Sequence, residues 1–267
     1  MSLTNQQIEQ FINDGYVKVE QAFPRQLADQ CREILWADVG CDPEDKSTWQ
    51  KPIVWLGEYA QAPFVEAANT PQLHRAFDQL VGEGNWKPRR SLGSFPVRFP
   101  ATEDTGDTGW HVDASFAGKD SDPNDFMSYR INIYSRDRAL LMLFLFSDVG
   151  EQSAPTRIRA SSHCEVARIL APAGEKGLSF AQLSAQLSST AQCPEVLATG
   201  KAGTVYLCHP FLVHAAQINR ESQPRFMAQP PLFAARPFEL TGKSPSSYVP
   251  VERAIRNALE TLGDENS

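Results

Sequence analysis

The sequence lacks the features that would place it in a membrane, outside the cell or on nucleic acid. No apolar run approaches the roughly 20 residues of a membrane-spanning helix, and the five cysteines form no CxxC pair. That cysteine usage is typical of a reduced cytoplasmic protein with structural thiols, and the polar start predicts no signal peptide. Positive charge is also scarce: 25 Lys and Arg against 32 Asp and Glu give a net charge of -7, whereas nucleic-acid binding needs a positive field. We therefore expect a cytoplasmic monomer or homodimer whose partner is a small molecule, with no nucleic acid and no membrane.

Helical patterns occupy the first part of the chain. Thr4 begins a capping box and is followed by apolar residues at helical spacing. Pro24 and the pair Thr70-Pro71 open two further predicted helices, because proline is favoured in a first helical turn. A final helix is predicted over 250–262.

Strand patterns dominate the middle of the chain. They lie at 95–99, 129–134, 140–146, 204–208 and 211–215. The run 140–146 is apolar throughout, which is typical of a strand covered on both faces. Helices followed by strands suggest an α+β fold with a mainly β core, arranged as an antiparallel barrel or jelly roll.

Two long segments leave alternatives open. The stretch 41–63 is loop-rich, and the aromatic residues in and just after it either line a cavity or pin the loop to the body. These aromatic residues are Trp49, Trp55, Tyr59 and Phe64. The stretch 171–200 carries one helical stripe, Phe180, Leu183 and Leu187, and is either a lid or a surface helix. Together with 119–126, these segments are expected to supply the substrate contacts.

The stretch Gly109–Phe116 contains two potential metal ligands, His111 and Asp113. Side chains two residues apart in an extended segment point to the same face, so the imidazole and the carboxylate would project together. His214, in another strand-like segment, is the candidate third ligand. Two histidines and one carboxylate bind one side of an octahedral Fe(II) and leave positions open for oxygen and a co-substrate. Such binding needs neutral histidines, so it should weaken below about pH 6.

Arginines near this pattern are candidates for holding a carboxylate. Arg225 follows His214 by 11 residues, enough for a hairpin to return the chain beside the metal, and a guanidinium grips a carboxylate in a bidentate manner. Arg98 and Arg130 lie on predicted strands near the site. Each binds a substrate or co-substrate carboxylate, or forms a structural salt bridge. Asn132 shares a strand face with Arg130 and is a further candidate.

The His-x-Asp, distal His and Arg pattern, with its His-to-Arg interval, resembles the phytanoyl-CoA dioxygenase family of Fe(II)/2-oxoglutarate oxygenases. The start LTNQQIEQFINDGYVKVEQAFP is similar to that family's N-terminal helix-turn-strand, and APTRIRASSH to its loop ending in Gly-Ser-His. The likeness spans roughly Leu3 to Leu232. It implies one domain over 1–267 with a double-stranded β-helix, a jelly-roll or cupin-like barrel. N-terminal helices (1–90) would pack on one sheet of the β core (91–235), with the C-terminal helix after it.

The resemblance also assigns roles to residues and cofactors. It implies that His111, Asp113 and His214 bind Fe(II), that Arg225 holds the distal carboxylate of 2-oxoglutarate, and that dioxygen is the oxidant. Relatives that halogenate lack the acidic ligand, so the presence of Asp113 favours hydroxylation with release of succinate and carbon dioxide.

The chain departs from the family pattern at two positions. Ala216 lies two residues after the distal histidine, where many members carry a Ser or Thr that helps to bind 2-oxoglutarate. Thr204 or Thr156 is expected to compensate for this change. Ser161 stands where the family usually has Gly, which tests the geometry of that turn.

The expected substrate is a small metabolite or natural product. An acyl-CoA would need a basic patch for its phosphates, and the sequence contains no strong one. Two other classes of function stay open. Two His and one Asp also hold catalytic Zn(II), as in another cupin-like metalloenzyme such as an isomerase or hydrolase. A jelly roll could also serve as a non-catalytic binding protein, since fold alone does not decide function.

Overall fold

The structure is a computed structural model that describes residues 2–118, 122 and 125–264, so most of the predicted substrate loop at 119–126 lies outside the described residues. Its helices are α1 (Asn5–Asp14), α2 (Arg25–Val39), α3 (Ala62–Ala68), α4 (Pro71–Val81), α5 (Ser162–Leu170), α6 (Phe180–Ser184) and α7 (Pro250–Asp264). Its strands are β1 (Tyr16–Val19), β2 (Ile53–Leu56), β3 (Trp86–Lys87), β4 (Phe95–Arg98), β5 (Arg130–Ile131), β6 (Arg138–Leu145), β7 (Arg157–Arg159), β8 (Leu178–Ser179), β9 (Glu195–Leu197), β10 (Val205–Cys208), β11 (His214–Ala215), β12 (Met227–Ala228) and β13 (Pro231–Ala234). Short 3-10 helices lie at Lys46–Thr48, Phe126–Ser128, Ala171–Lys176, Leu187–Gln192 and Pro245–Ser247.

The described strands form antiparallel sheets. The largest has the order β1-β10-β6-β13-β3, and β12 also pairs with β6. A three-stranded sheet has the order β11-β7-β9, while β2 pairs with β4 and β5 with β8. The prediction of a mixed fold with a core of antiparallel strands is therefore confirmed.

Strand β6 separates two apolar clusters and is buried along its whole length. Its residues Leu140, Met142 and Phe144 lie in the larger cluster, together with the apolar faces of the helices. The alternate residues Leu141, Leu143 and Leu145 lie in a smaller cluster with Ile158 of β7. Because alternate side chains of a strand point to opposite faces, helices cover one face of the main sheet and the three-stranded sheet covers the other.

Helices α1, α2 and α4 begin where the sequence predicts. The Thr4 hydroxyl accepts a hydrogen bond from the backbone N–H of Gln7 (3.2 Å) in a capping box, which satisfies free donors of α1. Gly15, with a φ of 81°, ends this helix in the left-handed conformation that glycine favours. At the start of α4, the Thr70 hydroxyl accepts a hydrogen bond from the backbone N–H of Leu73 (3.3 Å). None of the helices in the described ranges is both long and apolar enough to cross a membrane.

Several segments differ from the predicted elements. The stretch 41–63 was expected to be loop-rich, but it contains β2, which pairs with β4, and the start of α3. The signal for β2 is weak because three of its four residues are partly or fully exposed. The predicted strand 129–134 shortens to β5, because a turn closes where the N–H of Ser135 donates to the Asn132 carbonyl (3.0 Å). The 171–200 stretch packs on the body through the buried Leu183 and Leu187.

Two buried histidines tie the N-terminal part of the chain to the core. His163 and His209 are almost fully buried, with ring centroids 5.0 Å apart. The His163 Nε2–H donates to the Ile12 carbonyl (3.0 Å), and its Nδ1 has no hydrogen-bond partner. Burial lowers the pKa of His163 to about 4, and burial also holds the pKa of His209 well below its usual value. Both rings are therefore neutral in the folded protein at neutral pH.

These two histidines should make the protein sensitive to mild acid. The unfolded chain protonates them near pH 6.5, whereas folded His163 resists protonation until about pH 4. Between these values the unfolded state binds more protons, so the free energy of unfolding should fall as the pH decreases. The slope should approach about 1.4 kcal/mol per pH unit for each histidine. Denaturant unfolding at pH 7 and pH 5 measures this loss. His163→Gln, which keeps a donor to Ile12, should show a shallower slope, and an unchanged slope would contradict the assignment.

Candidate active site

A reciprocal backbone pair brings two distant histidines together. The N–H of His111 donates to the His214 carbonyl, and the N–H of His214 donates to the His111 carbonyl, both at 3.0 Å. Residues directly opposite each other in such a pair project from the same face, and the two imidazole centroids lie 4.4 Å apart. His214 belongs to β11, but His111 lies in extended chain with this single bridge, where the sequence predicts a strand. One bridge is enough to aim both rings into the same space.

Asp113 completes the cluster. Its Oδ1 lies 3.8 Å from the Nε2 of His111 and 3.8 Å from the Nε2 of His214. One ligand atom from each of the three residues lies within 4.8 Å of the other two. The structure therefore brings together the three residues that the sequence singles out as metal ligands.

Hydrogen bonds orient each ligand toward the centre of the cluster. His111 Nδ1 lies 2.9 Å from the Gly109 carbonyl, and His214 Nδ1 lies 3.1 Å from the Leu212 carbonyl. Because a carbonyl only accepts, each Nδ1 carries the proton and each Nε2 offers its lone pair to a metal. This donor set, two imidazole nitrogens and a carboxylate oxygen, suits a divalent transition metal.

Arg138, at the start of β6, supports the third ligand. Its Nη1 donates to Asp113 Oδ2 (3.0 Å) and its Nη2 donates to the Ala114 carbonyl (3.2 Å), so that Oδ1 stays available. Arg138 is not among the site residues predicted from the sequence. Its only signal is a single cation at the head of an otherwise apolar strand.

The cluster has the protonation state that metal binding requires. Burial raises the pKa of Asp113, but Arg138, His214 and His111 together hold that pKa below its usual value. Burial and the neighbouring His111 lower the pKa of His214 to about 4. At neutral pH, Asp113 is therefore ionised and His214 is neutral. The sequence predicts weaker metal binding below about pH 6, and the lowered pKa moves proton competition at His214 to about pH 4.

A cavity of about 490 Å³ opens onto the two histidines. Arg98 and Ala216 line it beside His214, and Phe180 of α6 lines it beside His111. The 171–200 segment thus presents Phe180, the first residue of α6, to the site as well as packing on the body.

Two arginines lie side by side next to this cavity. The backbones of Arg98 and Arg225 pair reciprocally (3.1 and 2.8 Å), and both side chains are almost fully buried. Arg98 donates to the Thr105 hydroxyl (3.2 Å) and forms an ion pair with Asp107. Burial raises the pKa of Asp107, but hydrogen bonds from Thr105 and Arg98 hold that pKa below its usual value, so the carboxyl is ionised.

Within the described residues, Arg225 has no carboxylate partner of its own. Its Nη1 donates to the Ala154 carbonyl (2.7 Å) and its Nη2 to the Pro96 carbonyl (2.9 Å). The Nε atoms of both Arg225 and Arg98 are buried without a hydrogen-bond partner. Burial and the adjacent Arg98 lower the pKa of Arg225 to about 9, which still leaves it charged at neutral pH. Two buried guanidinium groups thus share one carboxylate, Asp107, and the excess positive charge fits one more carboxylate.

The remaining candidates for co-substrate binding lie elsewhere. Thr156 is buried with its hydroxyl against Met227 Sδ (3.7 Å), and Thr204 lies before β10, at the opposite end of that strand from the turn leading to His214. Asn132 donates to the Glu175 carbonyl (2.9 Å), and Arg130 donates to the carbonyls of Lys176 and Gly177. None of these four residues is among those that line the cavity. Ala216 therefore has no threonine substitute among them.

The comparison with known families agrees with this arrangement. Residues 11–227 match the profile of the phytanoyl-CoA dioxygenase family. The chain belongs to this family. Membership of the phytanoyl-CoA dioxygenase family makes the protein an oxygenase-type enzyme. It also confirms the predicted cofactors, which are Fe(II), 2-oxoglutarate and dioxygen.

Solved structures of other enzymes share the fold. The α-ketoglutarate-dependent carbocyclase SnoK from nogalamycin biosynthesis is 15% identical over 87% of this chain and 84% of its own, with a TM-score of 0.56. EctD from S. alaskensis, solved with 2-oxoglutarate and 5-hydroxyectoine, is 19% identical over 87% and 75%, with a TM-score of 0.53. HygX from Streptomyces hygroscopicus, solved with nickel and 2-oxoglutarate, is 14% identical over 88% and 87%, with a TM-score of 0.54. At these identities the likeness shows the fold alone. No curated protein sequence matches the chain.

Removing the guanidinium behind Asp113 should weaken metal binding. We expect Arg138→Met to lower the affinity for Ni(II) by about 10- to 100-fold, as is typical when the partner of a metal ligand is lost. Calorimetric titration of the metal-free protein measures this change. Arg136→Met is the matched control, because Arg136 is an exposed neighbour whose ion pair is with Asp137. Equal affinities in the two variants would contradict a supporting role for Arg138.

Proposed function

We propose that the protein is an Fe(II)/2-oxoglutarate-dependent dioxygenase that hydroxylates a small metabolite or natural product. The observation that carries this proposal is the cluster of His111, Asp113 and His214, whose ligand atoms lie within 4.8 Å of one another. Both Nδ1 atoms are tied to backbone carbonyls, so both Nε2 atoms are free to bind iron. In this proposal the whole chain acts as one domain, and the main and three-stranded sheets form the two faces of a double-stranded β-helix.

Arg225 and Arg98 are the residues that would hold 2-oxoglutarate. The distal carboxylate would neutralise the excess charge of the two guanidinium groups and meet the unpartnered Nε donors. Arg98 lines the same cavity as His214, so a short dicarboxylate could reach from the arginines to the metal ligands. Thr204, Thr156 and Asn132 are not part of the proposed site.

Bound iron and 2-oxoglutarate supply the oxidation of a C–H bond by dioxygen, with release of succinate and carbon dioxide. The chain's own residues orient these groups and limit access of water. Arg138 holds Asp113 ionised and fixes which oxygen faces the metal. Asp113 would occupy the metal position that a halide takes in relatives that halogenate. Its presence therefore favours hydroxylation.

One experiment separates this proposal from a zinc enzyme or a binding protein. The metal-free protein is loaded with Fe(II) or Zn(II) and supplied with 2-oxoglutarate and dioxygen, and succinate is measured. We expect succinate with Fe(II) alone, and its loss in Asp113→Ala. Succinate with neither metal, or full turnover in Asp113→Ala, would reject the proposal.

Arg225 should govern the affinity for 2-oxoglutarate without governing that for metal. We expect Arg225→Gln, which keeps donors for the Ala154 and Pro96 carbonyls, to weaken 2-oxoglutarate binding by about 10- to 100-fold, because a charge-assisted hydrogen bond is lost. Anaerobic titration of the Fe(II) protein measures the binding of 2-oxoglutarate, and a separate metal titration should give unchanged affinity. Unchanged 2-oxoglutarate affinity would remove Arg225 from the site.

Asp107 should compete with the co-substrate for the two arginines. We expect Asp107→Asn to tighten 2-oxoglutarate binding by about fivefold or more, because the arginines lose a neighbouring carboxylate and keep their charge. Asp104→Asn is the matched control, since Asp104 lies in the same loop and bonds to Gly106 and Thr108 instead. Weaker binding in Asp107→Asn would show that Asp107 holds Arg98 in its binding position and would contradict competition.

A further inference from the structure

Large exposed apolar side chains are concentrated at the mouth of the cavity. The exposed large hydrophobic residues in the described part of the chain are Trp55, Phe126, Met127 and Phe233. Trp55 and Met127 line this cavity. The Phe126 ring is tilted against the ring of Phe180, which also lines the cavity, with the centroids 5.7 Å apart. Only Phe233 lies away from the mouth, beneath the guanidinium of Arg89. Exposed apolar groups gathered in one place mark a binding surface.

The apolar mouth has two walls. Trp55 projects from β2 directly opposite Pro96 of β4, which lines the same cavity. Met127 belongs to the 3-10 helix Phe126–Ser128, which contacts α6 on the other wall. Phe180 lines the same cavity as Met127, and its ring centroid lies 5.7 Å from that of His111. A molecule held between the walls and touching Phe180 would therefore lie beside a metal ligand.

Charge in the lining is limited. Apart from the two histidines, the charged side chains that line this cavity within the described ranges are Arg98 and Asp107, which form an ion pair with each other. The excess charge of the arginine pair is assigned above to 2-oxoglutarate. Among the described residues that line this cavity, no further cation is left to hold a phosphate or a second carboxylate.

Besides the Arg98 Nε, one hydroxyl group among the described lining residues has no hydrogen-bond partner. Ser184, at the end of α6, lines the cavity, and its buried Oγ makes no hydrogen bond. A buried hydroxyl without a partner is costly. A bound molecule with a hydroxyl or carbonyl group would satisfy it.

We infer that the substrate is a neutral, ring-bearing molecule with a hydroxyl or carbonyl group, held by Trp55 and Met127 and hydrogen-bonded to Ser184. This inference rests on the proposed function, since it concerns the same cavity. Aromatic and thioether side chains bind flat rings well, and the described lining offers no free charge to a charged substrate. A polyanion such as a coenzyme A thioester does not fit this mouth.

The binding of 2-naphthol to the protein loaded with Ni(II) and 2-oxoglutarate tests the inference. 2-Naphthol is a neutral, fluorescent ring compound with one hydroxyl, and nickel avoids turnover. We expect saturable binding at one site, weakened roughly three- to tenfold by Trp55→Ala and by Met127→Ala, as when an aromatic contact is lost. Phe233→Ala is the matched control and should bind 2-naphthol as the unmodified protein does.

Naphthalene, which lacks the hydroxyl, isolates the role of Ser184. The unmodified protein should prefer 2-naphthol over naphthalene by about two- to tenfold, and Ser184→Ala should remove this preference. Coenzyme A should not displace 2-naphthol. Displacement by coenzyme A, equal binding in Trp55→Ala and Phe233→Ala, or an unchanged preference in Ser184→Ala would overturn the inference. The affinity for 2-oxoglutarate is measured separately in the unmodified protein, and failure there would count against the proposed function instead.

Discussion

The pairing of His111 with His214 is the constraint on which the site depends. Two reciprocal hydrogen bonds at 3.0 Å hold the middle of the chain against a short late strand. That strand, β11, is itself held by β7, where His214 lies opposite Ile158. Ile158 belongs to the smaller apolar cluster with Leu141 and Leu143 of β6. The position of His214 is therefore set by a packed core, although the His111 segment forms no regular strand.

Charge is arranged in two separate buried groups around this pairing. In the first, Arg138 neutralises Asp113 and leaves one of its oxygens for a metal. In the second, Arg98 and Arg225 together carry one more charge than Asp107 can balance. A buried charge without a partner is unfavourable. We therefore expect an anion that binds beside the second group to stabilise it. Within the described residues, Arg138 and Asp113 of the first group balance each other, whereas the second group keeps one positive charge unbalanced.

Much of the fold was predictable because its signals are local. The capping box of α1 and the all-apolar β6 are properties of short stretches, and the structure has both. Elements such as β2 gave little signal, because β2 is half-exposed and carries Trp55 toward the cavity. Ser161 is a similar case. It adopts a left-handed φ of 66°, and its hydroxyl donates to the Asn13 carbonyl (2.9 Å), so a turn that usually favours glycine is held by a contact distant in sequence.

The clustering of the three candidate ligands was predictable from the sequence, but the residue that supports Asp113 was not. His111 and Asp113 are close in sequence, and a third ligand could be sought by residue type. Arg138 was missed because its role depends on β6 lying beneath Asp113, which no spacing reveals. Thr156 and Thr204 were chosen for their hydroxyl groups, yet neither residue, each lying just before a strand, lines the cavity. Residue type identifies what a side chain can do, whereas strand register decides whether it can do it at a given place.

The two ends of the cavity also differ in the chemistry that they favour. At the inner end, buried arginines and the ligand cluster need charged groups to complete them, while at the outer end Trp55 and Met127 offer apolar surface and Ser184 a single hydroxyl. Under the proposed function, a charged co-substrate would bind at the inner end, and a neutral molecule would lose least free energy by staying at the outer end. This difference would direct the co-substrate and the substrate to different ends of one continuous cavity. It also means that a change of substrate preference should arise from residues of the mouth, while the arginines and the metal ligands remain as they are.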